Sequence, residues 1–355
     1  MSLDNLRSRI DEIDARLARL IAERFRTARD IGGEKKENSL QIEDPAREKA
    51  VLDRVAAIAG EEGISPEDMA NIYRLIITTS KKMQGAEVAF QGETGAYSEA
   101  AAFSFFGSSI RTVPCETLDE VFRYVQEGSL QYGIVPVENS LEGSISRSYD
   151  LLLDSDVKVC GELELRVSHC LIANQEAGLD AIKKIYSHPQ ALAQCQQFLR
   201  HLGRELIPTY DTAGSVKMIK EKRILDGAAV ASSRAAEIYG MKVIATEIED
   251  NTRNFTRFFV ISRQDAPPTG NDKTSIVFLL KHKPGTLYES LKVFASRKIN
   301  LTKIESRPTK QKPWEYNFYL DFEGHRQDTV VRQALEKLEQ TCLFLKVLGS
   351  YPRAK

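Results

Sequence analysis

The stretch AEVAFQGETGAYSEAAAFSFF, residues 86–106, is where the hydrophobic period of the chain changes. Upstream, apolar residues recur every three or four positions. Within the stretch a short β-rich run, 87–90, stops at a glycine and a helical run follows. From here to TRFFVIS, residues 256–262, similar runs at 132–136, 228–231 and 258–261 alternate with helical stretches, which is α/β organisation.

Upstream, residues 1–84 read as three helices. Leu3, Leu6, Ile10, Ile13, Leu17 and Leu20 carry a coiled-coil-like seam that runs on through Ile21 and Ile31 without a proline. Asp44-Pro45 opens a second helix and Ser65-Pro66-Glu67-Asp68 a third, each with a capping residue ahead of proline. Three such helices are too thin to bury their apolar faces, so pairing with a second copy is expected. Downstream, RQDAPPTGNDK, residues 263–273, is a polar linker. After it TSIVFLLK, TLYESLKVFASRK, LTKIESRP, EYNFYLDFE, a helix near 328–340 and LFLKVLGSY spell β-α-β-β-α-β, a ferredoxin-like unit.

Bulk composition narrows the function. A chain of 355 residues calls for two or three domains. A formal net charge of −1 supplies no cationic field for nucleic acid or an anionic membrane surface. No apolar run approaches the ~20 residues of a bilayer span, and the charged, helical N-terminal pattern is unlike a signal peptide. The five cysteines lack framework spacing and read as reduced, so a cytoplasmic location is expected. The five histidines are scattered, which predicts no metal site. Neither G-x-G-x-x-G nor G-x-x-x-x-G-K-[ST] occurs, so no cofactor is expected.

Polar residues punctuate the helical segment. Arg24 and Lys35 share a face of the first helix ~16 Å apart along its axis, whereas Arg7 is ~25 Å from Arg24 and reaches the same small ligand only from a partner chain. Asp44, Arg47 and Glu48 face one way on the second helix, and Ser80 and Gln84 end the third. With LRSRIDEIDARLARLIAERF, EDPAREKAVLDR and LIITTSKKMQ, the segment resembles the all-helical chorismate mutase class. The resemblance implies an intertwined dimer in which Arg24 and the second protomer's Arg7 grip the two carboxylates of chorismate. Arg47 and Ser80 would support that grip, Lys35 and Gln84 would address the ether oxygen, and Asp44 and Glu48 the ring hydroxyl. Such donors suit a Claisen rearrangement, which needs a compressed conformer and stabilisation of charge growing on the ether oxygen.

In the middle segment three helix starts, GETGAYSEAA with Ser98 as its expected cap, YSHPQALAQC with Ser187 and His188, and YDTAGSVKMI with Asp211 and Thr212, present N–H groups suited to anions. With Glu138-Asn139-Ser140 and Thr256-Arg257-Phe258 they outline a polar cleft, and residues 87–262 resemble prephenate dehydratase. That implies a two-lobed α/β fold like periplasmic binding proteins. Thr256 would be the acid at the leaving hydroxyl of prephenate, with Ser98, Glu138, Asn139, Ser140, Ser187, His188, Thr212, Arg257 and Phe258 around the substrate. Alternation along a strand points Arg257 away from Thr256, which leaves open whether it touches substrate or braces the site. Alanine at 96 departs from the threonine common in that family.

The last segment resembles the phenylalanine-binding ACT domain, on Gly285-Thr286-Leu287 and Glu305-Ser306-Arg307-Pro308, with Thr286 in place of the usual alanine. The resemblance implies L-phenylalanine held between paired domains. The expected organisation is therefore a mutase at 1–85, a dehydratase at 86–264 and an ACT unit at 272–352, assembled as a homodimer or a pair of dimers. Arogenate as the dehydratase substrate, or a non-catalytic amino-acid sensor, are the rival readings.

Overall fold

The computed structural model describes residues 3–37, 45–83, 86–108, 110–309, 312 and 314–354; the side chains of 29, 33–37, 45–46 and 81–83 lie outside the description. The chain divides into two compact units, residues 1–87 with 106–111, and residues 88–105 with 112–355.

The helical unit holds α1 (Leu3–Glu37), α2 (Pro45–Glu61) and α3 (Pro66–Met83). Ser65 caps α3 by accepting from the Asp68 N–H at 3.3 Å, as its sequence signature predicts. Ala28, Val55, Ala59, Ala70 and Ile77 are buried where α3 meets the other two helices. The seam Leu3, Leu6, Ile10, Ile13, Leu17 and Leu20 is not: each of these residues is between 44% and 63% exposed. One copy of this unit leaves its longest apolar stripe in water.

The larger unit begins with β1 (Glu87–Gln91), α4 (Tyr97–Phe106), β2 (Arg111–Cys115), α5 (Leu118–Glu127), β3 (Tyr132–Asn139), β4 (Gly143–Ser144), α6 (Ser146–Asp154) and β5 (Lys158–Arg166). A second lobe follows, with β6 (Cys170–Ala173), β7 (Lys184–Ser187), α7 (Pro189–Gln194), α8 (Gln196–Leu202), β8 (Glu205–Pro208), α9 (Thr212–Glu221), β9 (Gly227–Ala231), α10 (Ser233–Tyr239) and β10 (Lys242–Ala245). The chain then returns through β11 (Phe255–Ser262), which inserts between β3 and β5 in the first sheet, order β2-β1-β3-β11-β5. The second sheet runs β10-β6-β9-β7-β8. The return explains the composition of β11: flanked by strands on both edges, its Phe258, Phe259, Val260 and Ile261 are almost wholly buried. Gly95, at φ +95°, lets the loop before α4 approach Ala235 of the second lobe, where a Cβ would sit 3.0 Å from the Ala235 Cα.

The chain closes with β12 (Asp272–Leu279), α11 (Thr286–Ala295), β13 (Leu301–Pro308), β14 (Tyr316–Glu323), α12 (Thr329–Glu339) and β15 (Phe344–Pro352), in sheet order β13-β14-β12-β15. Alternation sorts its strands into two faces. Ile276, Phe278, Leu320 and Phe322 pack with Val293, Phe294, Val331 and Leu338 of the two helices. Val277, Tyr319, Leu348 and Tyr351 join the core of the first lobe with Tyr149, Leu152, Val159 and Phe259. Strand β15 lies so close to β5 that a Cβ at Gly349 would collide with the Val159 backbone. The C-terminal sheet thus shares a hydrophobic core with the lobe that carries β11.

Candidate active site and regulatory pocket

In the helical unit the Arg24 guanidinium donates to the hydroxyl of Ser80, which is buried and itself donates to the Ile76 carbonyl at 2.8 Å. Residues 56 positions apart thus meet where α1 crosses α3. Arg7 sits exposed near the start of α1, 4.0 Å from Asp4. Arg47 and Glu48 occupy the first turn of α2. Asp44, Gln84 and the side chain of Lys35 lie outside the described residues.

The larger unit has a cleft of about 670 Å³ lined by Gly92, Glu93, Tyr97, Ser98, His188 and Asp211, with Ala96, Cys115 and Thr212 also on its wall. Three helix starts converge there, though not all as the sequence suggests. His188 caps α7 through Nδ1, which accepts from the Gln190 N–H at 3.3 Å, and Asp211 caps α9 by accepting from the Gly214 N–H at 2.7 Å. Ser98 is no cap: α4 begins at Tyr97, and Glu99 reaches back to accept from the Gly95 N–H at 2.8 Å. A carboxylate on the left-handed Gly95 turn replaces the serine hydroxyl, leaving Ser98 on the cleft wall. Ser187 is displaced from the cleft too, since its buried hydroxyl donates to the Val230 carbonyl at 2.6 Å. Burial pushes the Cys115 thiol up to about 11, so this wall residue stays neutral at pH 7 and offers no thiolate nucleophile. Burial also raises the pKa of Asp211, against the opposing pull of the Gly214 N–H.

Thr256 is not among the described residues of the cleft wall, but a hydrogen-bonded ring leads from it toward Tyr97, which is. The Asn139 side chain is fixed first: its Oδ1 accepts from the N–H groups of Leu141 (3.0 Å) and Glu142 (3.2 Å). Its Nδ2 therefore faces inward and donates to Asn254 Oδ1 at 2.7 Å and to Thr256 Oγ1 at 3.1 Å. Asn254 Nδ2 donates to Gln194 Oε1 at 2.9 Å, and Gln194 Nε2 donates to the Glu142 carboxylate at 2.9 Å. A carboxylate only accepts, so every amide in the ring has one permitted orientation. His169 Nε2, 2.9 Å from the same Gln194 oxygen, must be the protonated ring nitrogen. Nδ1 is left as an acceptor 3.0 Å from the Tyr97 hydroxyl, which also lies 2.6 Å from the Ser168 carbonyl. Burial holds the His169 pKa below its ordinary value and that of Tyr97 above its own, so both are neutral at pH 7.

The consequence falls on Thr256. Its oxygen accepts from Asn139, so its own hydrogen is free to be donated. Gln194, His169, Tyr97 and Asn254 do not stand out as partners in the sequence. Gln194 lies inside SHPQALAQC, and a polar amide at the end of a short apolar helix is the signal that could have marked it.

Arg257 and Glu138 occupy the opposite face of the same strands. The guanidinium donates from Nε (2.8 Å) and Nη2 (2.6 Å) to Glu162, from Nη1 to Asp321 at 2.7 Å, and from Nη2 to the Tyr351 hydroxyl at 3.2 Å. Glu138 pairs with Lys303 at 2.9 Å. Neither side chain is placed beside Thr256, because consecutive strand residues point to opposite faces. Of the two roles left open for Arg257, contact with substrate or bracing of the site, these ion pairs favour bracing. Phe258 is 1% exposed and packs as core, and Ser140 bonds to the Arg253 carbonyl at 3.1 Å and the Phe255 N–H at 3.0 Å.

The C-terminal unit carries a cavity of about 300 Å³ lined by Gly285, Thr286, Leu287, Tyr288, Trp314 and Phe318, among others. Gly285, at φ +86°, caps α11 in the left-handed region. The second motif divides. Ser306 is the strand partner of Phe318, whereas Glu305 bonds Ser144 and Arg307 donates to Ser146 (2.6 Å) and Asp150 (3.1 Å). The charged half of that motif is thus turned onto the first lobe, away from the cavity.

Among the described residues, no helix is long and apolar enough to cross a membrane and no group of His, Cys, Asp or Glu could hold a metal ion. Family models match in order along the chain: chorismate mutase type II at residues 6–85, prephenate dehydratase at 88–266 and the ACT domain at 274–340. A bifunctional chorismate mutase/prephenate dehydratase from Stutzerimonas stutzeri is 40% identical over 360 residues, covering 99% of this chain and 98% of that one. An arogenate dehydratase/prephenate dehydratase from Arabidopsis thaliana is 46% identical over 276 residues, 75% of this chain and 72% of its own. A solved prephenate dehydratase from Arthrobacter aurescens, in complex with L-Phe, superposes with a TM-score of 0.70 at 32% identity, covering 76% of this chain and 90% of that one. The chain belongs to the bifunctional chorismate mutase/prephenate dehydratase family.

Proposed function

We propose that the chain catalyses two successive steps: chorismate to prephenate in a helical domain, residues 1–85, and prephenate to phenylpyruvate in the two-lobed domain, residues 86–264. The ACT domain, residues 272–352, binds L-phenylalanine and inhibits the second step. The observation that carries the dehydratase assignment is the Asn139–Thr256 contact, which reserves the threonine hydrogen for a substrate. In the reaction the bond between the ring and its carboxylate breaks, carbon dioxide leaves, and that electron pair enters the ring. The ring hydroxyl departs as water on receiving a proton from Thr256, and aromatisation drives the step; solvent restores the proton. No base is required, which agrees with the neutral His169 and the protonated Cys115 near the site. Cleft residues Ser98, His188 and Thr212 are the substrate contacts this reading favours.

The mutase site needs a second copy. Arg24 and Ser80 are joined within one chain, Arg7 lies ~25 Å away along α1, and the exposed leucine–isoleucine seam is a surface that a second α1 would bury. The working species is therefore a homodimer, alone or paired into a tetramer, and a cytoplasmic site of action suits the five free cysteines. Arogenate is the competing dehydratase substrate, because the Arabidopsis thaliana relative is named for both.

Purified protein incubated with chorismate at neutral pH, where prephenate does not decompose, decides the reading. Phenylpyruvate should form, less of it with L-phenylalanine present, and Thr256→Ala should accumulate prephenate. A protein that consumes neither chorismate nor added prephenate is a sensor rather than an enzyme. Parallel assays with prephenate and arogenate rank the two dehydratase substrates.

A further inference from the structure

Two pairs of neighbouring residues face opposite ways across β3 and β11. Thr256 is the strand partner of Asn139, and Arg257 is the strand partner of Glu138. The first pair makes the proton-donor arrangement described above; the second pair lies against the C-terminal sheet. There it meets a third strand pair, Lys303 on β13 and Asp321 on β14. Asp321 accepts from Arg257 at 2.7 Å, and Lys303 lies 2.9 Å from Glu138. Arg257 stands 3.9 Å from Glu138 as well, so the four charges alternate in sign.

Three of the four side chains are largely buried, and that of Glu138 is 35% exposed. The side chains of Arg257 and Lys303 are each 11% exposed and that of Asp321 is 4% exposed. The other oxygen of Asp321 accepts from Ser275 at 2.6 Å, Ser275 is 2.6 Å from the Tyr351 hydroxyl, and Lys303 also donates to Ser144 at 2.7 Å. Buried charges held this way resist separation, because pulling one away leaves its partner uncompensated. Strand β14 links the cluster to the regulatory cavity. Phe318 lines that cavity and Asp321 lies three residues further on, on the opposite face. On the other side, the β3–β11 register breaks between Arg257 and Phe258. A bulge at that point is where a strand can re-aim a side chain.

We propose that Arg257, Glu138, Lys303 and Asp321 form the coupling through which the C-terminal sheet sets the position of the Thr256–Asn139 pair. Arg257 and Glu138 are positioning residues, one peptide bond from the groups they position, and they do not clamp the substrate. The inference rests on Thr256 as the dehydratase acid and on the C-terminal unit as a phenylalanine sensor.

The test uses the full chain with Lys303→Met, which keeps an unbranched side chain but removes the ammonium 4.9 Å from the Tyr149 ring centroid, with Asp321→Asn, and with the charge exchange Glu138→Lys/Lys303→Glu. Dehydratase rates at neutral pH are measured with and without L-phenylalanine, binding of phenylalanine is followed by calorimetry, and thermal unfolding of the full chain reports folding. Without effector, each single variant should lose about five- to twentyfold in kcat with KM within about twofold, the pattern of a displaced catalytic group. Phenylalanine should still bind, while the fraction of activity it removes falls by about half or more; the exchange should recover part of both. Should Asp321→Asn fail to fold, Lys303→Met carries the measurement. Unchanged kcat and unchanged inhibition in a folded variant overturn the proposal, as does a rise in KM alone, which would mark a substrate contact. A wild type that binds no phenylalanine refutes the sensor reading instead, and the effector-free kcat then decides the positioning role by itself.

Discussion

Asn139 Nδ2 stands 3.1 Å from Thr256 Oγ1 while the same side chain's oxygen is held by the N–H groups of Leu141 and Glu142. The amide cannot turn over without losing both backbone donors, so the threonine is the acceptor in this contact and retains its own proton. The contact therefore orients the threonine hydroxyl with its hydrogen directed away from Asn139.

Substitutions on the two residues should therefore differ in kind. Thr256→Val keeps shape but has no proton to give, and dehydratase kcat should fall by about 10²- to 10⁴-fold, the range for removing a general acid. Thr256→Ser should retain most of the rate. Asn139→Asp keeps the acceptor for the two N–H groups but turns the donor into a second acceptor, which captures the Thr256 hydrogen. Its kcat should fall by at least about tenfold. Mutase rates should be unaffected in all three. A Thr256→Val enzyme as fast as wild type on prephenate would remove Thr256 from the chemistry.

The buried His169 predicts a pH signature in stability. Its folded pKa lies below the ordinary value near 6.5, chiefly from burial, with Gln194 and the charge of Glu249 opposing. The unfolded chain therefore binds the proton first as pH falls. The stability conferred by neutral His169 is complete above about 6.5 and is lost as pH drops through the lower folded value. Thermal unfolding of wild type and His169→Gln between pH 5 and 8 should show a gap that is constant at the alkaline end and narrows on acidification. A gap that widens toward acid pH would mean that His169 is charged in the folded protein.

What the sequence announces is local chemistry, and what it conceals is assembled from afar. Proline after a capping residue marks the starts of α2 and α3, and the 3–4 spacing marks α1, because each signal lies within one or two helical turns. The Thr256-Arg257-Phe258 motif is visible for the same reason, and strand alternation already separates the first two side chains. The ring that fixes Thr256 draws on Asn139, Glu142, His169, Gln194 and Asn254, five positions spread over more than a hundred residues. No window short enough to show periodicity contains them. Arg257 is concealed in the same way, since Asp321 lies 64 residues later in another sheet. Ser98 misleads because serine before an alanine run is a good cap in isolation, but α4 already begins at Tyr97 and Glu99 reaches back to the Gly95 N–H.

In the helical unit, Arg24→Met should leave the Ser80 hydroxyl without its cationic partner and a substrate carboxylate without its charge. Truncating one member of a hydrogen-bonded charge pair costs about 2–5 kcal/mol, so mutase kcat/KM should fall roughly thirty- to a few thousand-fold. Dehydratase activity on added prephenate should stay at the wild-type level. A matching loss in both activities would point to unfolding rather than to a lost contact.

The exposed seam of α1 and the distance from Arg7 to Arg24 lead to a complementation experiment. If each mutase site takes Arg24 from one chain and Arg7 from the other, Arg7→Ala and Arg24→Ala are each nearly inactive alone, because every site lacks one arginine. Mixed dimers differ: one site gathers both substitutions and the other gathers both native arginines. Random exchange makes about half the dimers mixed, and half of their sites native, so about one quarter of wild-type mutase activity should return on co-refolding. The dehydratase, whose cleft is lined by both lobes of one chain, serves as the internal standard for recovered protein. Sites built from a single chain would give no recovery at any mixing ratio, since neither chain then owns both arginines. Recovery near one quarter would also identify what covers Leu3, Leu6, Ile10, Ile13, Leu17 and Leu20, because Arg7 can reach a partner's Arg24 only if the two long helices lie against each other along that seam.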